Sequence, residues 1–132
     1  MVREYVLEAI ADEDLKVYVV WEPILRTDSE AAARVSSGFL RDDRVVHYWA
    51  SSRAVGERFQ EAVGLEGEPA WDVYLVYDPG VRWDDRPPDP AAFMHQLGGR
   101  LPEEFRLNGP ELTERVRQSL NVADQPSPSS QR

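Results

Sequence analysis

Two histidines, His47 and His95, and three nearby carboxylates, Asp84, Asp85 and Asp89, are the side chains best suited to proton transfer or metal ligation. His95, in "AAFMHQL", stands close enough in sequence to the aspartates to join them in an acid–base or metal cluster. Catalytic metal sites usually take three protein ligands, often imidazoles, and no HExxH or similar spacing occurs. "DD" followed by Arg86 and two prolines reads more naturally as a solvated turn. His47, mid-strand in "VVHYW", shares a face with Val45 and Trp49 and reads as a hydrogen-bonded structural residue. A serine nucleophile would sit on a GxSxG elbow, which is absent, and "LGGR" closes a helix where a phosphate loop would open one. No cysteine occurs, which removes disulfides, thiol catalysis and thiolate metal sites together.

The elements that must position these residues alternate. "MVREYVLEAI" places Val2, Val6, Ala9 and Ile10 at helical spacing. Leu15 to Trp21 is almost continuously apolar and suits a strand covered on both faces. Thr27 stands three residues before Glu30, the spacing of a capping box, and opens a helix whose core face is Ala32, Val35 and Phe39. "RVVHYW" is a second strand, and Ser51 or Ser52 caps a helix that Gly64 stops. "AWDVYLVYD" is a third strand, with Trp71, Val73, Leu75 and Tyr77 on one face and Asp72, Tyr74 and Val76 on the other.

Pro79 and Gly80 occupy the central positions of a turn, so Val81 to Trp83 is expected to return as an antiparallel fourth strand. Asp89 and Pro90 then open a short helix through Leu97. Leu112, Val116 and Leu120 give the last helix an apolar stripe. Residues 121–132 have the composition of a disordered tail. Trp71, Tyr77 and Trp83 form either cross-strand packing, the favoured reading, or a sticky patch at the hairpin through which two copies pair.

At 132 residues the chain suits one domain, and with 42% hydrophobic residues it has the composition of a globular protein. Net charge is −9, from 24 acidic against 15 basic residues, all but one of them arginine. A polyanion would be repelled over most of such a surface, so nucleic acid is not an expected partner. No stretch approaches the roughly 18 apolar residues of a membrane span, and no membrane partner is expected. The first residues carry acids where a secretory signal needs a basic region, so the expected location is cytoplasmic, with a signal upstream of Met1 left open.

A β-α-β unit joined through a helix to a β-hairpin and a closing helix resembles the thioredoxin fold family. "KVYVVWEPILR" looks like its first core strand running into the active-site loop, and "GPELTERVRQSL" looks like its last helix. "GEPAWDVYLVYDPGVRW" looks like the segment where a cis-proline precedes a strand. The resemblance implies one domain over residues 1–120, an α/β/α sandwich around a central mixed four-stranded sheet, with 84–107 inserted before the last helix. It places the family's cysteine positions on Leu25 and Asp28, or on Glu22 and Leu25, so disulfide exchange, which needs a thiolate, is not available.

What the resemblance leaves is a surface. Extended peptides bind beside the family's cis-proline, which implies a groove of Trp21, Glu22, Pro23 and Arg26 facing Glu68 and Pro69. The expected function is therefore a redox-inactive module that binds a protein or peptide, with no cofactor. A small enzyme built on Asp84, Asp85, Asp89 and His95 is the alternative.

Overall fold

The computed structural model describes residues 1–123; the tail proposed from sequence lies, from residue 124 on, outside the described residues. A π-helical turn spans Arg3–Leu7, β1 Val17–Trp21, α1 Glu30–Ser37, β2 Val45–Trp49, α2 Ala54–Arg58 and α3 Gln60–Val63. β3 spans Val73–Val76, β4 Ala92–His95 and α4 Gly109–Ala123, with single 3₁₀ turns between the last two. No helix among the described residues is long and apolar enough to cross a membrane.

The strands form two separate pairs. β1 and β2 run parallel in the register Val17↔Val45 to Trp21↔Trp49, with α1 as the crossover. β3 and β4 run antiparallel, from Val73↔His95 to Val76↔Ala92. This corrects the expected central four-stranded sheet, and with it the three-layer sandwich: among the described residues the two pairs share no ladder.

β3 is antiparallel to its successor, but the successor is not Val81 to Trp83. The turn at Pro79–Gly80 does form, with Gly80 at φ 81, the left-handed value a type II turn requires at that position. The chain then stays on the surface and returns as a strand only at Ala92, inside the segment expected to be an insertion. The expected helix over 91–97 is thus a strand. Its two buried residues, Met94 and His95, are adjacent and face opposite ways, so the segment shows no alternation. A short apolar run covered on both faces cannot be told from a buried helix by periodicity.

The β3–β4 pair carries the core. Tyr74, Val76 and Met94 face one cluster, built on Val6, Ile10, Leu112 and Val116. Val73, Leu75 and Phe93 face the other, around Val63, Leu65, Leu97 and Leu101. The alternation read from β3 is the one observed. α4 closes the first cluster and holds the N-terminal turn, with Arg117 donating to the Ala9 carbonyl at 3.1 Å and the Thr113 hydroxyl to that of Tyr5.

Arg44, just before β2, ties the same turn down from the other side. Its guanidinium donates to the carbonyls of Leu7 and Ile10 and to both carboxylate oxygens of Asp42, each at 2.9 Å. Those carbonyls end a helical segment and have no partner within it.

Candidate functional site

The turn after β1 is where a ligand was expected. Asp28 Oδ2 accepts from the N–H groups of Ile24 and Leu25, at 3.0 and 2.6 Å, and closes the loop. Ser29, not Thr27, caps α1, its hydroxyl accepting from Ala32 N–H at 3.0 Å. Trp21 points inward. Its indole N–H donates to His47 Nδ1 at 3.1 Å, and the rings stack with centroids 6.1 Å apart. Since Nδ1 accepts, His47 Nε2 carries the hydrogen and donates to the Leu40 carbonyl at 3.1 Å. Both residues thus knit β1, β2 and the loop after α1.

The rest of the proposed groove is occupied by the chain itself. Gly56 of α2 is buried between Glu22 and Pro69 and donates its N–H to Glu22 Oε1 at 2.6 Å. A Cβ at Gly56 would come within 2.8 Å of Glu22 Oε2, 3.0 Å of Pro69 Cβ and 2.6 Å of the Ala70 carbonyl. Arg53 donates to the carbonyls of Pro23 and Ile24, and Gln60 to that of Glu68. The Glu68 carboxylate faces Arg100 at 3.7 Å. Arg26 alone is exposed and makes no hydrogen bond or ion pair among the described residues.

Burial raises the Glu22 pKa above its ordinary value. The Gly56 hydrogen bond opposes this, nearby Glu57 adds to it and Arg53 lowers it. No peptide bond among the described residues is cis, so Pro69 lacks the geometry of the family it was compared with.

The histidine–carboxylate alternative does not assemble. His95 has 0% of its surface exposed; Nδ1 accepts from Leu97 N–H at 3.1 Å and Nε2 donates to the Pro102 carbonyl at 2.8 Å. Asp84, Asp85 and Asp89 are exposed on the loop before β4, and none bonds the imidazole. Among the described residues no group of three His, Asp or Glu is placed to hold a metal. Trp83 packs on Tyr77 and Phe59, at 4.7 and 5.9 Å between centroids, while Trp71 joins the second core cluster.

The surface that stands out is one the sequence did not mark. Tyr18 and Val20 of β1 are 64% and 42% exposed, and Val46 and Tyr48 of β2 are 39% and 52% exposed. These four share the outer face of the parallel pair, where the Tyr18 and Tyr48 rings stack at 6.5 Å. The apolar stripe expected on α1 also faces outward, with Val35 and, just past the helix end, Phe39 both more than 70% exposed and Ala33 buried in their stead.

One edge is open as well. Val17 N–H donates to the Arg44 carbonyl at 2.8 Å and Ala50 N–H to that of Trp21 at 2.9 Å. In a parallel ladder this turns the odd-numbered backbone groups of β1 toward β2 and those of Tyr18 and Val20 away. Among the described residues those groups have no partner.

Comparison of the chain with protein-family models, curated proteins and solved structures gives no match.

Proposed function

We propose that the protein is a binding module that takes an extended peptide segment of a protein partner as an added strand on the open edge of β1. One observation carries the reading. Parallel sheets are normally covered on both faces, whereas the outer face of β1–β2 is bare and its edge unpaired.

Magnitudes decide the mode of binding. Covering the exposed half of four such side chains contributes on the order of 4 kcal/mol in all. Association costs about 4–15 kcal/mol, so the face alone does not hold a partner. Main-chain hydrogen bonds to Tyr18 and Val20 supply the remainder, and these two side chains read their cross-strand neighbours on the added strand, with Tyr48 stacked behind Tyr18. With no cysteine in the chain, capture rests on these contacts and not on a mixed disulfide.

Selection of displayed peptides against the protein tests this. Recovered sequences should alternate β-branched or aromatic residues with polar ones and lose binding to Val20→Pro. The N–H that this proline removes points away from β2, so the β1–β2 ladder loses no hydrogen bond. Peptides indifferent to both Val20→Pro and Tyr48→Asp would refute strand addition.

A further inference from the structure

β1 is bracketed by two charges of opposite sign, Lys16 and Glu22, each three residues from Val19, and the 5 residues between them carry none. Edges of natural sheets are usually blunted by a charge, a proline or a bulge within the strand. β1 has none of these, and the backbone groups of Tyr18 and Val20 face away from β2. Lys16 is exposed and makes no hydrogen bond or ion pair among the described residues. Glu22 is half-buried and holds Gly56 N–H with one oxygen, Oε1.

We infer, resting on the open edge proposed above, that β1 also pairs with a second copy of the chain, the two strands running antiparallel about a two-fold axis at Val19. In that register Tyr18 lies opposite Val20 of the second copy and exchanges both N–H···O bonds with it, which satisfies every outward group of the two strands. On the outer face Tyr18, with Tyr48 stacked behind it, covers Val20 of the second copy. Lys16 of each copy stands opposite Glu22 of the other, so symmetry makes the charge match twice. Neighbouring registers lose this match. An axis at Tyr18 sets Glu22 against Asp14, a like charge, and an axis at Val20 sets Lys16 against Ile24. The outer edge of β2 has no such symmetry, since Arg44, three residues from its centre at His47, would face Ala50. Joined at β1, the two parallel pairs form a four-stranded sheet in the order β2-β1-β1-β2. At physiological salt the Debye length is about 8 Å, so the net charge of −9 on each copy is screened while a close Lys–Glu pair is screened less.

Sedimentation over a dilution series from about 1 mM tests the dimer. The mass should rise reversibly toward twice that of the chain, and Val20→Pro should hold it at one. Lys16→Glu sets like charges opposite each other and should weaken association about tenfold or more. Single introduced thiols then read the register, because the chain has no cysteine of its own. Residues directly opposed across the axis lie about 4.5 Å apart at Cα, within disulfide reach, whereas those two places out of register lie beyond about 7 Å. Oxidised at the same concentration, Val19→Cys should form a covalent dimer and Tyr18→Cys should not, although Tyr18 is the more exposed. A monomer throughout, a dimer indifferent to Val20→Pro or Lys16→Glu, or coupling that favours Tyr18→Cys over Val19→Cys would each overturn self-pairing. Peptide capture by the dilute monomer survives any of these results, whereas protected Tyr18 and Val20 amides in the monomer would sink both. Unchanged amide spectra of the dilute variants show that the fold is kept.

Discussion

Gly56 N–H donates to Glu22 Oε1 at 2.6 Å, and the backbone that carries it fills the space between Glu22 and Pro69. A surface that fold resemblance nominated for ligands is thereby an internal joint between the end of β1, α2 and the approach to β3. Any side chain at position 56 must displace backbone as well as side-chain atoms. Gly56→Ala is expected to cost about 1–3 kcal/mol, the usual range for overpacking. Urea denaturation measures it, and a change under about 0.5 kcal/mol, the scale of a neutral surface substitution, would mean the joint is loose.

Glu22 gives this joint a pH dependence of definite sign. Its carboxyl pKa lies above the ordinary 4.5 in the folded protein, because burial disfavours the charge. The folded state therefore holds this proton more tightly than the unfolded chain does. The contribution is fully present below pH 4.5 and is lost as pH rises through the folded value. Glu22→Gln keeps an acceptor for Gly56 N–H and removes the charge, so stability against pH should flatten above 4.5. An unchanged slope in the variant would assign that dependence to other groups.

Asp42 acts in a lower window and with the opposite sign. Hydrogen bonds from Arg44 hold its carboxyl down to about 2, from an ordinary 3.8. Its contribution is present above 3.8 and is lost as pH falls through about 2. Asp42→Asn should lower stability at pH 7 and reduce the acid limb of the curve. A limb identical to that of the parent protein would show that the Arg44 clamp contributes nothing to acid resistance.

His95→Ala separates a structural imidazole from a catalytic one. The substitution leaves Leu97 N–H and the Pro102 carbonyl without their partners in the core and opens a cavity. The expected loss is about 3 kcal/mol or more, read from thermal or urea unfolding. A variant as stable as the parent protein would contradict the buried placement.

Much of the architecture was legible where a single physical signal acted alone. β1, β2 and α4 showed as apolar runs or stripes, and the two faces of β3 followed from its alternation. β4 was not legible, because a strand buried on both faces loses that alternation, and Asp89–Pro90 supplied a helix-start signal that the structure does not use. At α1 the capping-box spacing pointed to Thr27, but the loop closed by Asp28 brings Ser29 to the cap position instead. The stripe of Ala32, Val35 and Phe39 was read as core because apolar periodicity says which residues share a face, not whether that face is covered. The same limit hid the outer face of β1–β2. The apolar run from Leu15 to Trp21 implied cover on two sides, and only one is covered.

Amide hydrogen exchange across β1 tests the open edge most directly. Alternation is expected in the free protein: Val17, Val19 and Trp21 protected by the ladder to β2, Tyr18 and Val20 exchanging freely. A bound peptide strand should then slow Tyr18 and Val20 while leaving their neighbours unchanged. Protection of Tyr18 and Val20 in the free, monomeric protein would contradict it, since the edge would already be paired.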